Sequence, residues 1–324
     1  MTSIDLNAHK RPATLFPVLA DTNKERRITS IFLAVLSQVP DLASEVFGSI
    51  DVRIGKRTRI RSFIEPALKG FEAEKCRPDG LINIQNGKSE WTALVEAKIG
   101  KAELDQDQVE RYLDLVKRAE IDAVITISNQ FVTRPMQSPL SVSKVMTRKV
   151  DLFHWSWAWL TTQCEILSFL ETVDDDEQSF LTREITSFLK HDSTGVERFT
   201  QMPKNWPDVV AAIRNYVKLR RTAEDVEDII GCWLQEEKDL SLHFSSHLAL
   251  KVSPKIDRKY QKSPELRQRD AQAYLVDEGK LITRLQFPDA ASDLSIVADC
   301  RTRTVSVSMD LKAPVDRKST SAKV

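Results

Sequence analysis

A chain of 324 residues is long for a single core and short for three, so two domains are the starting expectation. Hydrophobic residues at 41% and charged residues at 29% exclude an intrinsically disordered chain. Equal numbers of basic and acidic residues, 47 of each, exclude a global positive field, so any nucleic-acid contact has to come from local patches.

Cys76, Cys164, Cys232 and Cys300 stand too far apart for a zinc knuckle or a disulfide framework, which fits a reducing setting. The first ten residues are polar, and apolar stretches such as Ile31 to Leu36 are too short to span a bilayer. A cytoplasmic protein with no membrane partner is the expectation.

In chain order, Asp21 to Glu25 offers capping side chains, and Ile28, Ile31, Phe32 and Val35 recur at helical spacing, which predicts a first helix. Three strands are expected next, Ile60 to Leu68, Gly80 to Gln85 and Trp91 to Ile99, the last two joined at Asn86-Gly87, a strong hairpin signal. Val109, Tyr112, Leu113 and Val116 predict a helix over Ala102 to Ala119, followed by a β-branched strand at Ala123 to Ile127. A right-handed crossover would lay that strand parallel to Trp91–Ile99, so the expected fold is an α/β layer sandwich.

Asn129 to Met146 reads as irregular, and Val150 to Leu160, with Trp155, Trp157 and Trp159, as either a strand or the start of a helix. An acidic run, Asp174 to Glu177, precedes a helix to Lys190, and His191 to Gly195 resembles a linker, giving domains 1–192 and 196–324. The second is expected to be α+β. Its helices are predicted at Asp208–Arg220 and Ala223–Glu237, and its strands at Ala273–Val276, Leu281–Phe287, Leu294–Ala298 and Thr304–Met309. In the last strand, alternating Val305, Val307 and Met309 predict one buried face.

Chemistry concentrates in one stretch. Arg77-Pro78-Asp79-Gly80 opens one strand, Glu96-Ala97-Lys98 ends the next, and sixteen residues separate Asp79 from Glu96. Strand alternation turns Glu96 and Lys98 to one face, and the hairpin brings Asp79 beside them. Two carboxylates so placed call for a cation, and hard oxygen ligands suit Mg²⁺ or Mn²⁺. Gln108 and Tyr112, four apart, share a face of the following helix, although Tyr112 also fits the apolar stripe of Val109 and Val116.

Pro78-Asp79, Glu96-x-Lys98 and Gln108-x-x-x-Tyr112, in this order, resemble the PD-(D/E)XK nuclease superfamily, including its Gln-x-x-x-Tyr subgroup related to RecB-type and Cas4-type nucleases. The resemblance covers roughly residues 20 to 130. It implies a restriction-endonuclease-like αβββαβ core, a three-layer sandwich, and Mg²⁺-dependent hydrolysis of DNA. It further implies Asp79, Glu96, Lys98, Gln108 and Tyr112 as catalytic residues, with Asp79 and Glu96 on the metal. Relatives often add an acidic residue from the first helix, for which Glu25 is the candidate and Glu65 the alternative.

Two basic stretches are candidate nucleic-acid contacts: Arg53, Lys56, Arg57, Arg59 and Arg61, and then Lys255, Arg258, Lys259, Lys262 and Arg267 around Tyr260. His243 and His247 lack the acidic residue and third ligand of a zinc site. There is no nucleophile elbow, Walker loop or dinucleotide fingerprint. Two rival readings remain open. One is a silent nucleic-acid-binding module on the same fold; the other is a protein-interaction component of phage defence or stress response. The oligomeric state is left open between a homodimer, which double-strand cleavage would favour, and a complex with a protein partner.

Overall fold

The computed structural model describes residues 11–15, 23–66, 77–197 and 202–310, apart from 131, 133, 134, 137, 144, 171–174 and 289. Asp21, Thr22, the predicted strand end at Ala67 and Leu68, Cys76 and Asp174 therefore lie outside the described residues. The chain divides into two units, Met1–Phe199 and Thr200–Val324. It is a mixed α/β protein with one sheet in each unit.

In the first unit, helix α1 (Lys24–Gln38) is followed at once by α2 (Pro40–Gly48). Pro40 forces the break, because the residue before proline is pushed out of the helical region and Val39 is accordingly extended. The two-residue strand β1 (Arg11–Pro12) and strands β2 (Arg59–Ile64), β3 (Gly80–Asn86) and β4 (Ser89–Ala97) pair antiparallel in that order. Asn86 faces Ser89, so the tight turn is Gly87-Lys88, one residue later than expected, with Gly87 at the positive φ of 62° that this hairpin asks of its first central residue.

Helix α3 (Gln106–Arg118) carries the chain across to β5 (Ala123–Ser128), which lies parallel to β4, and β6 (Asp151–Ser156) adds a further parallel strand. Trp157 then starts α4 (Trp157–Leu170), so the tryptophan-rich stretch is a strand and a helix in succession. Its alternating tryptophans fit both because Trp155 points from the sheet and Trp157 from the helix into one core.

Sheet alternation sorts the core into two layers. Val95, Ala97, Ile125, Ile127, Phe153 and Trp155 pack against α1, α2, α4 and α5 (Asp176–Leu189). Leu94, Val124 and Leu152 pack against α3 through Val109, Tyr112, Leu113 and Val116. Residues 191–195 are a packed part of this unit: the Gly195 carbonyl accepts from the Gly100 N–H at 2.8 Å and from Asn129 Nδ2 at 2.8 Å. The expected linker is thus a brace for the loop after Lys98, and the unit boundary falls later.

Gly80 sets how closely α1 approaches the sheet. A Cβ there would stand 2.7 Å from Leu33 Cδ1 and 3.3 Å from both the Phe63 carbonyl and Val95 Cβ. Gly80→Ala is expected to cost about 1–3 kcal/mol by overpacking, read as a lower urea midpoint. An unchanged midpoint would mean that α1 yields freely.

In the second unit, α6 (Trp206–Arg214), α7 (Glu224–Leu248), α8 (Arg258–Lys262) and α9 (Pro264–Glu278) accompany an antiparallel sheet. The sheet comprises β7 (Ser253–Pro254), β8 (Lys280–Gln286), β9 (Leu294–Asp299) and β10 (Thr304–Ser308), in the order β10-β9-β8-β7. The core joins Val209 and Ile213, Val226, Ile229 and Ile230, and Leu275 and Leu281.

Four expectations fail here, the first being the helix expected to reach Arg220, which ends at Arg214. Ala273–Val276 is helical, since Pro264 starts α9 and Gly279 at φ 69° ends it, and such punctuation outweighs a short apolar run. The second helix runs eleven residues beyond Glu237, to Leu248. The alternating face of the last strand is open, with Val305 67% and Val307 61% exposed, because among the described residues nothing covers either face of β10.

Among the described residues no single helix is long and apolar enough to cross a membrane. The bent pair α1–α2 passes a length-and-composition test, but it carries much of the first unit's core.

Candidate active site

The sheet register builds the site. Gly80 pairs with Val95, so the next antiparallel step sets Asp79 opposite Glu96 at the end of the β3–β4 hairpin. The Asp79 carboxylate accepts from the Ala97 N–H at 2.8 Å, which ties it to the strand carrying Glu96 and Lys98. On the following segment, the Lys98 N–H donates to the Ile127 carbonyl at 2.8 Å, and its carbonyl accepts from Trp157 Nε1 at 2.9 Å. The backbone of Lys98 is therefore fixed from both sides.

Lys98 Nζ donates to Glu96 Oε1 at 2.6 Å, to Glu25 Oε1 at 3.3 Å and to the Ala97 carbonyl at 3.2 Å. Glu25 lies in the first turn of α1, so the close helix approach that Gly80 permits brings a third carboxylate to the cluster. Glu65 is engaged elsewhere, by Arg26 and, at 3.8 Å, by Arg77. Of the two candidates for a third acid, Glu25 is the one that shares Lys98.

Electrostatics mark the cluster as overfull with negative charge. Burial, and then the charge of Glu96, raise the Asp79 carboxyl to about 7, against the opposing pull of the Ala97 N–H and Lys98. Burial likewise raises Glu96, opposed by its hydrogen bond to Lys98. Burial would depress Lys98, but Glu96, Asp79 and Glu25 outweigh it and hold the ammonium above its ordinary value.

Glu96 is 2% exposed, yet its Oε2 has no hydrogen-bond partner. A buried carboxylate oxygen left open is costly unless something binds it.

Tyr112 is both core and site. Its ring is buried among the α3 contacts, while its hydroxyl accepts from Gln108 Nε2 at 2.9 Å. Burial and the neighbouring charge of Glu96 push the phenol upward, so it stays protonated beside that carboxylate. Asp105 caps α3 by accepting from the N–H groups of Asp107 and Gln108, which fixes the turn that presents Gln108.

Among the described residues no three His, Cys, Asp or Glu side chains form a ready metal cage. The donors are instead two carboxylates, Asp79 and Glu96, with the Ala97 carbonyl beside them. The orphaned Glu96 Oε2 and the raised Asp79 fit a divalent cation that keeps several waters. His243 gives Nε2 to Asp239 at 3.3 Å and meets His247 edge to face, outside any such group.

The predicted basic contacts do not gather here. Arg57 and Arg59 are exposed, but Arg59 pairs with Gln85 while Ile64 pairs with Gly80, so the length of β2, roughly 16 Å, separates them from Asp79. Lys259 is bound to Asp270 at 3.2 Å in the second unit, and the side chain of Lys262 lies outside the described features. Besides Lys98, Arg26 and Arg77 come near through Glu65, which both engage and whose N–H donates to the Asp79 carbonyl at 3.0 Å. Arg77 had a signal in the sequence, two residues before Asp79; Arg26 had none beyond its neighbour Glu25.

No protein-family model matches the chain, and no curated protein matches it.

Proposed function

We propose that the first unit is a divalent-metal-dependent nuclease of the PD-(D/E)XK type, with a restriction-endonuclease-like core, that hydrolyses phosphodiester bonds, with DNA as the expected substrate. The observation that carries this reading is the buried Glu96, with one oxygen on Lys98 and the other open, in a cluster where burial and like charge push the Asp79 carboxyl up to about 7. The order of helix, antiparallel three-strand meander, crossover helix and parallel strand supports it, as does the Gln108–Tyr112 pair against Glu96.

Asp79 and Glu96, with the Ala97 carbonyl, would hold Mg²⁺ or Mn²⁺, which when bound polarises the scissile phosphate and acidifies water. Lys98, held protonated, is no general base; it offers a fixed cation to the attacking water or a phosphate oxygen. Tyr112 stands protonated beside Glu96, where it would orient that carboxylate, and Gln108 holds the phenol in place. Arg77, 78% exposed, stands at the rim where a phosphate backbone would pass.

The test is cleavage of labelled linear and circular DNA by the full chain with Mg²⁺, Mn²⁺ or EDTA. Metal-dependent cleavage by the wild type, absent in Asp79→Ala, is the expected result. Salt-dependent binding without cleavage under any divalent ion would replace the enzyme by a binding module, and affinity for a protein alone would point to an interaction component.

A further inference from the structure

The second unit holds a cavity of about 290 Å³ between α7, α8, α9 and β8 that plays no part in the chemistry above. Its floor is closed and neutral: buried Glu237 accepts from Arg267 and from the Thr283 hydroxyl. Trp233, Tyr260 and Tyr274 supply an aromatic wall. Tyr260 is held in place, its hydroxyl donating to Asp270 at 2.9 Å and its ring covered by the Lys259 ammonium at 4.3 Å.

Two cations stand beside this wall. Lys255 donates to Gln286 at 3.5 Å, the limit of a hydrogen bond, and has no carboxylate partner among the described residues. Beside it, Arg284 pairs with Asp257 at 3.0 Å, where both are well exposed and an incoming anion can compete. The Arg284 carbonyl accepts from the Lys255 N–H at 2.7 Å, and strand alternation turns the backbone groups of Ile282 to the same edge, beyond the end of β7.

An aromatic wall, an open strand edge and cations at the mouth together match a nucleoside phosphate, which brings a flat ring, a base edge that forms hydrogen bonds, and an anion. We propose that this pocket binds one nucleotide, its base against Tyr260 and Tyr274 and its phosphate on Lys255 and Arg284. The volume admits a single nucleotide, at the small end of ligand pockets, and no duplex. The ligand is either a free nucleotide or an unpaired residue of a single strand, which present the same groups. The proposal does not depend on the nuclease reading of the first unit.

Calorimetric titration of the full chain in EDTA, with AMP, ATP or a short single-stranded oligonucleotide, tests it. Saturable binding is expected, weakened about tenfold by Tyr274→Ala. Lys255→Ala should weaken it and flatten its salt dependence, and Asp79→Ala should leave it unchanged. Tyr274 is 38% exposed, so its loss spares the core, and unfolding midpoints check each variant. An oligonucleotide that displaces AMP identifies the strand as the source; AMP or ATP binding alone identifies the free nucleotide. No saturable binding to any probe, or binding unaltered in both Tyr274→Ala and Lys255→Ala, overturns the proposal.

Discussion

Lys98→Ala is expected to lower metal-dependent cleavage at least about a hundredfold, the scale on which one fixed electrostatic contact to a transition state acts. The same change should also destabilise the chain, which an ordinary surface lysine would not do. Glu96 is 2% exposed and Lys98 is its partner at 2.6 Å, so removing the ammonium leaves a buried carboxylate without a counter-charge. The loss is expected to be about 1–3 kcal/mol at pH 8 and smaller at pH 5, where Glu96 escapes by taking a proton. Adding Glu96→Gln to Lys98→Ala should recover most of the stability and none of the activity, because the double variant buries no uncompensated charge. Urea unfolding beside a cleavage assay separates the two effects. Wild-type stability in Lys98→Ala would mean that Glu96 and Lys98 do not form the pair described.

This double role was half legible in the sequence. Period-two alternation puts Glu96 and Lys98 on one face, and a hairpin signal within a residue of the true turn brings Asp79 across from them, so the three groups follow from local rules. Glu25 is different: its place beside Lys98 depends on how closely α1 packs, hence on the missing Cβ of Gly80 against Leu33, and no periodicity reports a packing distance. Glu65, the alternative to Glu25, is claimed by Arg26 and Arg77. The second unit shows the complementary limit. Val305 and Val307 alternate as a buried strand face would, but alternation states only that two residues share a side, not that anything covers it. Ala273 to Val276 shows why short apolar runs are ambiguous; the proline and glycine at the ends of α9 decide it.

Asp79→Asn is expected to abolish cleavage and, in EDTA at pH 8, to make the folded chain more stable than the wild type. In the wild type the Asp79 carboxyl is raised from 3.8 to about 7, so between those values the folded chain binds a proton that the unfolded chain has released. Stability contributed by that proton is present at low pH and is lost as pH rises from about 4 to about 7, up to about 4 kcal/mol at 1.36 kcal/mol per pKa unit. Asparagine has no charge to desolvate, and its side-chain oxygen still accepts from the Ala97 N–H, so the variant should lack this slope. Mg²⁺ should restore wild-type stability above pH 7, because a ligand that binds only the folded state adds RT ln(1 + [L]/Kd), and should do little for the variant. Thermal unfolding at pH 5 and pH 8, each with Mg²⁺ or EDTA, reads all four terms. A pH slope shared by both proteins would remove Asp79 as its source, and an equal Mg²⁺ shift in both would place the cation away from Asp79.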